Sequence, residues 1–248
     1  MLLIAALATV PGSPWQKDGG GLLPDSPFMG SIVFYLVVAF SVTGIVYGAI
    51  LAIGQSDVMS LIAYTSISHF GFIILGVFAR TGDSQAGSVL YMVNHGVATA
   101  ALFLTAGVLV ARRGSRRIGD FGGAWSRAPK LGAIFLLAGL ATLSLPGLGP
   151  FVSELLVVVG TYPRWALAAI VSVLALVLSA MYVLWTYQRM FTGPAPEAVV
   201  RTVDDARPRE LLVLVPLVVA LFLLGLFPGP ALDAINPSVS PTVAEVAR

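Results

Sequence analysis

The chain has 248 residues, of which 57% are hydrophobic and only 10% charged. Soluble domains carry about 25% charged residues, so this composition belongs to a polytopic membrane protein. The net charge of +2 offers no basic field for nucleic acid, and the absence of cysteine excludes disulfides, thiolate metal clusters and cysteine nucleophiles.

Residues 1–10 are apolar but shorter than the about 20 residues that a bilayer crossing needs. With no basic start they make a poor signal peptide, and they read as the stump of a helix. The segment through residue 27 is turn-forming and polar, a loop. Phe28 to Ile53 is the first full span, followed by the short turn Gln55-Ser56-Asp57. Val58 to Phe78 is the second span, Arg80 to Gln85 a polar turn, and Gly87 to Ala111 the third span. The loop from Arg112 to Lys130 carries Arg112, Arg113, Arg116, Arg117, Arg127 and Lys130 against Asp120. A fourth, interrupted span covers 131–163, and a fifth runs from Arg164 to Met190. A polar loop over 192–210 contains Pro194, Pro196 and Pro208, and Leu211 to Phe227 is the sixth span. The rest of the 211–248 segment is a tail polar enough to lie outside the bilayer. The expected fold class is therefore an all-α membrane protein with six transmembrane helices, one of them broken. By the positive-inside rule, the Arg112–Lys130 loop, the 192–210 loop and the 54–57 turn face the cytoplasm.

The fourth span is unlike the others. Its apolar run stops at Pro146-Gly147-Leu-Gly149-Pro150 and then resumes with Glu154 inside it. Proline supplies no donor to the helix ladder and clashes with the preceding turn. A break of this kind is tolerated in a bilayer only where protein or a water-filled cavity satisfies the freed backbone groups. A carboxylate just beyond it is costly in hydrocarbon and marks a functional position. Broken helices carrying charge near the midplane line ion pathways.

Apart from tyrosines, three titratable side chains sit well within spans: His69, His95 and Glu154. His69 lies about eleven residues, hence about 16 Å, into its span. Tyr64, Thr65 and Ser68 make its surroundings polar, and Thr65 shares its helix face. In the third span Tyr91, His95 and Thr99 recur at every fourth residue, with Asn94 adjacent. Histidine both takes and gives a proton near neutral pH, and hydroxyls and amides hold the water between such stations. The pattern reads as a proton wire, with Glu154, His69 and His95 as relay groups and Tyr64, Thr65, Ser68, Tyr91, Asn94 and Thr99 in support. The alternative is that the histidines only hydrogen-bond between helices. No metal site is expected, because the histidines sit on different spans and no carboxylate pair completes a ligand set. No cofactor fingerprint is present either, so no cofactor is expected.

The stretches 61–76 (LIAYTSISHFGFIILG), 90–109 (LYMVNHGVATAALFLTAGVL) and 141–160 (ATLSLPGLGPFVSELLVVVG) together resemble the antiporter-like subunits of respiratory complex I. The resemblance is strongest to subunit M, the counterpart of mitochondrial chain 4, and extends less closely to subunits L and N and the Mrp antiporters. It implies a proton-translocating membrane-arm subunit of NADH:quinone oxidoreductase. Residues 28–191 would form one five-helix repeat, with a following helix over 211–227. It implies that Glu154 matches the key acidic residue of the family's broken helix, and that His69 and His95 match its central hydrophilic axis. The family's first repeat and its bridging lysine have no counterpart, so residues 1–10 would be a remnant of the bridging helix. The turn before the second span also lacks the family's basic pair, reading Asp57-Val58-Met59-Ser60. Implied partners are other membrane-arm subunits and the lipid of a bacterial plasma membrane. No NADH or quinone site is expected on this chain. The alternatives are an Mrp-type cation/proton antiporter subunit and a structural membrane subunit with a decayed channel.

Overall fold

The structure is a computed structural model that describes the backbone of residues 27–246 and the side chains of residues 34–239. The expected helix remnant at 1–10 and most of the loop behind it lie outside the described residues. Nine α-helices follow in order among the described residues, with two short 3-10 turns at Ile118–Asp120 and Ala124–Ser126. They are α1 (Pro27–Ile53), α2 (Val58–Ala79), α3 (Gly82–Arg113), α4 (Pro129–Thr142), α5 (Gly149–Thr161), α6 (Ala166–Phe191), α7 (Glu197–Thr202), α8 (Pro208–Leu226) and α9 (Gly229–Val246). The only pairing of β type among them is an isolated bridge between Asp57 and Arg117.

Five of these helices are long and apolar enough to cross a membrane: α1, α2, α3, α6 and α8. The interrupted span appears as α4 and α5 in series, of 14 and 13 residues. At 1.5 Å per residue each covers about 20 Å, so neither crosses a ~30 Å hydrocarbon core alone. The chain leaves the helix at Leu143 and re-enters at Gly149. The expected break is thus shifted towards the N-terminus. Pro146 and Gly147 lie inside it, but Gly149 and Pro150 belong to the first turn of α5. Proline is compatible with that turn because its missing N–H would have no partner there anyway. Gly147 turns the chain at φ +96°, a left-handed conformation open to glycine.

Capping explains the other boundaries. Asp57 accepts from the backbone N–H groups of Met59 and Ser60, at 2.8 and 3.0 Å, and starts α2. Thr81 and Ser84 form a reciprocal capping box. That cap makes Gly82–Gln85 the first turn of α3 rather than the tail of a polar loop. Arg112 and Arg113 sit in the last turn of α3, where the helix dipole favours cations, and Gly114 ends it at φ +70°. The expected 192–210 loop contains the short helix α7. The polar tail also differs from expectation: it forms α9, which packs back against α3.

The helix α3 is the hub of the bundle. It packs against α2, α4, α5, α8 and α9, while α1 covers α2 and α6. The loops expected on one side do meet there. Val58 donates to the Arg116 carbonyl at 2.9 Å, Ile118 to Ser56 at 2.8 Å, and Gly123 to Thr192 at 3.0 Å. This basic end is sealed by Phe121, Leu131, Phe191, Val199 and Leu214. A second apolar cluster around Ile45, Phe72, Tyr91 and Val157 lies on the opposite-end side of the bundle. The outer surface carries large exposed apolar side chains such as Phe40, Leu167 and Leu212, as a lipid-facing surface requires.

Candidate functional site

The site is built where α5 begins. Glu154 lies one turn into α5 and is 3% exposed. Two hydroxyls converge on one of its carboxyl oxygens. Ser144 Oγ donates to Oε2 from the break, and Tyr91 Oη donates to the same atom from α3 at 3.5 Å. Ser144 reaches Oε2 from a left-handed backbone, φ +60°, which few non-glycine residues adopt. None of the ion pairs among the described residues includes Glu154. Its environment is therefore hydroxylic and uncharged, and the acid and the carboxylate can both be accommodated by rotation of the same O–H groups.

Asn94 fixes the start of α5. Its Nδ2 donates to the Gly149 carbonyl at 2.8 Å and to Ser153 Oγ at 3.1 Å, while Ser153 donates to the Pro150 carbonyl at 2.9 Å. A side chain at Gly149 would collide with Asn94 Oδ1. The amide thus locks the broken span against α3, and Gly149 makes room for it.

From Tyr91 the polar line runs to the histidines. The rings of His69 and Tyr91 lie 6.0 Å apart, and those of His69 and His95 lie 5.1 Å apart, edge to face. His69 Nδ1 and His95 Nδ1 are 3.2 Å apart, a distance at which one nitrogen donates and the other accepts. Thr99 Oγ1 follows at 3.2 Å from His95 Nδ1. His69 also interacts with the backbone of Thr142, the last residue of α4. Both imidazoles are buried. The polar groups follow in the order Ser144–Glu154–Tyr91–His69–His95–Thr99, with hydrogen-bond distances at each step except Tyr91 to His69, where the rings pack 6.0 Å apart.

Several sequence-predicted groups stand apart. Thr65 Oγ1 donates to the Ile62 carbonyl and Ser68 Oγ to the Ile45 carbonyl, each at 2.8 Å, so both protons are engaged by backbone. Tyr64 is half-buried and packs on the apolar cluster of the basic end. The Asn94 amide donates to Gly149 and Ser153 at the start of α5. Conversely, Ser144 and Ser153 were not singled out in the sequence. Their signal was present, as hydroxyls flanking the Leu-Pro-Gly interruption. Among the described residues no group of three or more His, Asp or Glu side chains gathers to hold a metal ion.

A family model described as NADH:quinone oxidoreductase/Mrp antiporter, TM, matches residues 21–181, which include every group of the polar line. The chain belongs to that family. It is 54% identical over 213 residues to NADH-quinone oxidoreductase subunit M of Mycobacterium tuberculosis, covering 86% of this chain and 38% of the relative. NADH-ubiquinone oxidoreductase chain 4 of Marchantia polymorpha is 35% identical, over 82% of this chain and 41% of that protein. A chain of respiratory complex I from Thermus thermophilus superposes with a TM-score of 0.82 at 31% identity, covering 87% of this chain and 45% of that one. A chain of the Mrp complex from Dietzia matches in fold alone, at 21% identity and a TM-score of 0.75. This member of the complex I antiporter-like family thus spans less than half the length of the relatives it matches.

Proposed function

We propose that this chain carries one proton half-channel of a membrane-arm subunit of NADH:quinone oxidoreductase, in a bacterial plasma membrane. Protons move along Thr99, His95, His69 and Tyr91 to Glu154, which gains and releases a proton while electron transfer takes place on other subunits. The observation that carries this reading is the buried carboxyl of Glu154, held at a break in a half-span by hydroxyls and by no cation. A carboxyl serving only packing would be cheaper as an apolar residue, because an embedded acid is costly in hydrocarbon. The broken span supports the reading as well, since it brings freed backbone groups to the same level as the acid. An Mrp-type exchange activity has weaker support, because the curated relatives at 31–54% identity are subunit M and chain 4 proteins.

The partners under this reading are the other membrane-arm subunits, and this chain itself performs no redox step. The basic end, with Arg112, Arg113, Arg116 and Arg117, faces the cytoplasm. Cysteine labelling of Asp83→Cys and Ser115→Cys variants in intact cells checks the orientation: external reagent should reach position 83 and not 115.

The deciding experiment on function is Glu154→Gln in the assembled complex. Glutamine keeps the shape and the hydrogen bonding but has no exchangeable acid proton. Proton pumping per electron should fall by about ten-fold or more, the scale of a lost proton-transfer group, while assembly persists. Normal pumping by the variant would reduce Glu154 to a structural residue.

A further inference from the structure

The helix α8 lies beyond residues 28–191, the segment expected to form a five-helix repeat, yet it packs directly on the break. Leu221, Leu224 and Gly225 share one of its faces. Leu221 is fully buried and forms one apolar cluster with Leu148, Ala98 and Ala141. A side chain at Gly149 would come within 3.2 Å of Leu224 Cβ, besides meeting Asn94 Oδ1. Gly225 approaches closer still. A Cβ there would lie 2.5 Å from the Leu148 carbonyl carbon and would overlap the Gly147 carbonyl oxygen. α8 and the break therefore touch backbone to backbone at Gly147 and Leu148.

Glycine inside a helix costs about 0.5–1 kcal/mol relative to alanine. At position 225 no larger residue fits unless the break or α8 moves. Small residues are what allow two backbones to meet within a bilayer. The break needs such cover, because its freed backbone groups cannot face lipid.

The covered segment joins the two halves of the Glu154 contact. Ser144, which donates to Glu154, stands before it, and α5, which carries Glu154, starts after it. Leu148 is tied to both sides. Its N–H donates to the Leu145 carbonyl, and its carbonyl accepts from Phe151 N–H in the first turn of α5, each at 3.1 Å. A displacement of Gly147 and Leu148 is thus passed to the donor and to the helix of the acceptor. We propose that Gly225 is a positioning residue of the Glu154 site: it seats α8 on the break and so fixes Ser144 against the carboxyl. The inference rests on the reading of Glu154 as a proton station.

The test is Gly225→Ala in the intact complex, which adds one methyl group. The first readout is the infrared C=O stretching band of Glu154, identified by its loss in Glu154→Gln. In Gly225→Ala the band should leave its wild-type position, and pumping per electron should fall several-fold with assembly retained. Leu214→Ala is the control for stability. Leu214 is a buried residue of α8 in the cluster at the basic end, so its truncation loosens α8 without touching the break. Band and pumping per assembled complex should there remain wild-type. A wild-type band or wild-type pumping in Gly225→Ala overturns the proposal, and so does an equal band shift in Leu214→Ala. If Gly225→Ala fails to assemble, Leu221→Ala decides, since it frees Leu148 without pushing on the break: a displaced band supports the proposal and a wild-type band overturns it. The two readings fail separately. Normal pumping by Glu154→Gln removes the proton station, while a wild-type band in Gly225→Ala leaves the station standing and removes only the role of α8.

Discussion

Arg112 and Glu154 are both largely buried charge-bearing groups, and the molecule treats them in opposite ways. Arg112 ends α3 at the basic end with its side chain 11% exposed. Its Nη2 meets both oxygens of Glu210 at 2.7 and 2.6 Å, and its Nη1 donates to the carbonyls of Asp204 and Asp205. The neighbouring Asp205 carboxylate accepts from the backbone N–H groups of Lys130 and Leu131, at 3.0 and 3.2 Å, and so caps the otherwise uncapped start of α4. Arg112 there has a fixed opposite in Glu210, and the Asp205 carboxylate has fixed backbone donors. Glu154 has hydroxyls and no cation. A paired guanidinium with carbonyls around it has no freedom to change its charge, and serves to fasten α3, α4 and α8 together. A carboxyl among hydroxyls keeps both protonation states accessible, and costs the fold some stability in return. On the proposed reading of Glu154 as a proton station, the difference separates a structural use of charge from a chemical one.

The largest expected effect on stability is at the clamp. Arg112→Ala leaves Glu210 facing an empty position and strips two carbonyls of their donor. Because the site is partly solvated, the full penalty of a broken buried pair is reduced to about 2–3 kcal/mol. Thermal unfolding in lipid nanodiscs reads this directly. Glu154→Gln should change the same midpoint little, since glutamine still accepts from Ser144 and Tyr91. Equal destabilisation by the two variants would break the comparison. Replacing the pair together, by Arg112→Met with Glu210→Leu, should recover most of the loss, as apolar substitution of an ion pair usually does.

The two regions were unequally legible in the sequence. Glu154, the Pro146-Gly147 interruption and the four-residue spacing of Tyr91, His95 and Thr99 announce themselves, because proline chemistry and helical periodicity act locally. The direct contact of His69 with His95 is a matter of the relative rotation and depth of two helices, which neither span encodes alone. The break begins at Leu143 because Ser144 turns left-handed, an event three residues before the glycine that draws attention. The clamp was legible as charge but not as partners: Arg112 pairs with Glu210, ninety-eight positions away. α9 is not legible locally because its polar composition argues against a packed helix, whereas in the fold it packs against α3.

A smaller effect sharpens the same contrast. Asp205 reaches from the 203–207 loop to the first turn of α4, so Asp205→Ala should cost about 1 kcal/mol, the usual value of an N-terminal cap. Asp205→Asn should retain most of it, because the amide oxygen still accepts. The Glu154 pocket lies a helix length away, so proton pumping should be unaffected per assembled complex. Reduced pumping in well-assembled Asp205→Ala would mean that the clamp also sets the geometry of the break.

The smallest effect isolates what the break itself contributes. Ser144 combines two properties: a hydroxyl that donates to Glu154, and a left-handed backbone at φ +60°. Ser144→Ala removes the hydroxyl and keeps the backbone cost. Ser144→Gly removes the hydroxyl and relieves that cost, so it should be more stable than the alanine variant by about 1 kcal/mol. Their unfolding midpoints should differ by that amount, in that order. Pumping supplies the other half of the experiment. If the hydroxyl is what Glu154 uses, both variants pump at the same reduced rate despite their different stabilities. If the left-handed turn is what matters, the glycine variant, free to leave that conformation, pumps less than the alanine variant although it is the more stable of the two. Pumping that rises and falls with stability alone would assign Ser144 to the fold and leave Tyr91 as the sole direct donor to the carboxyl.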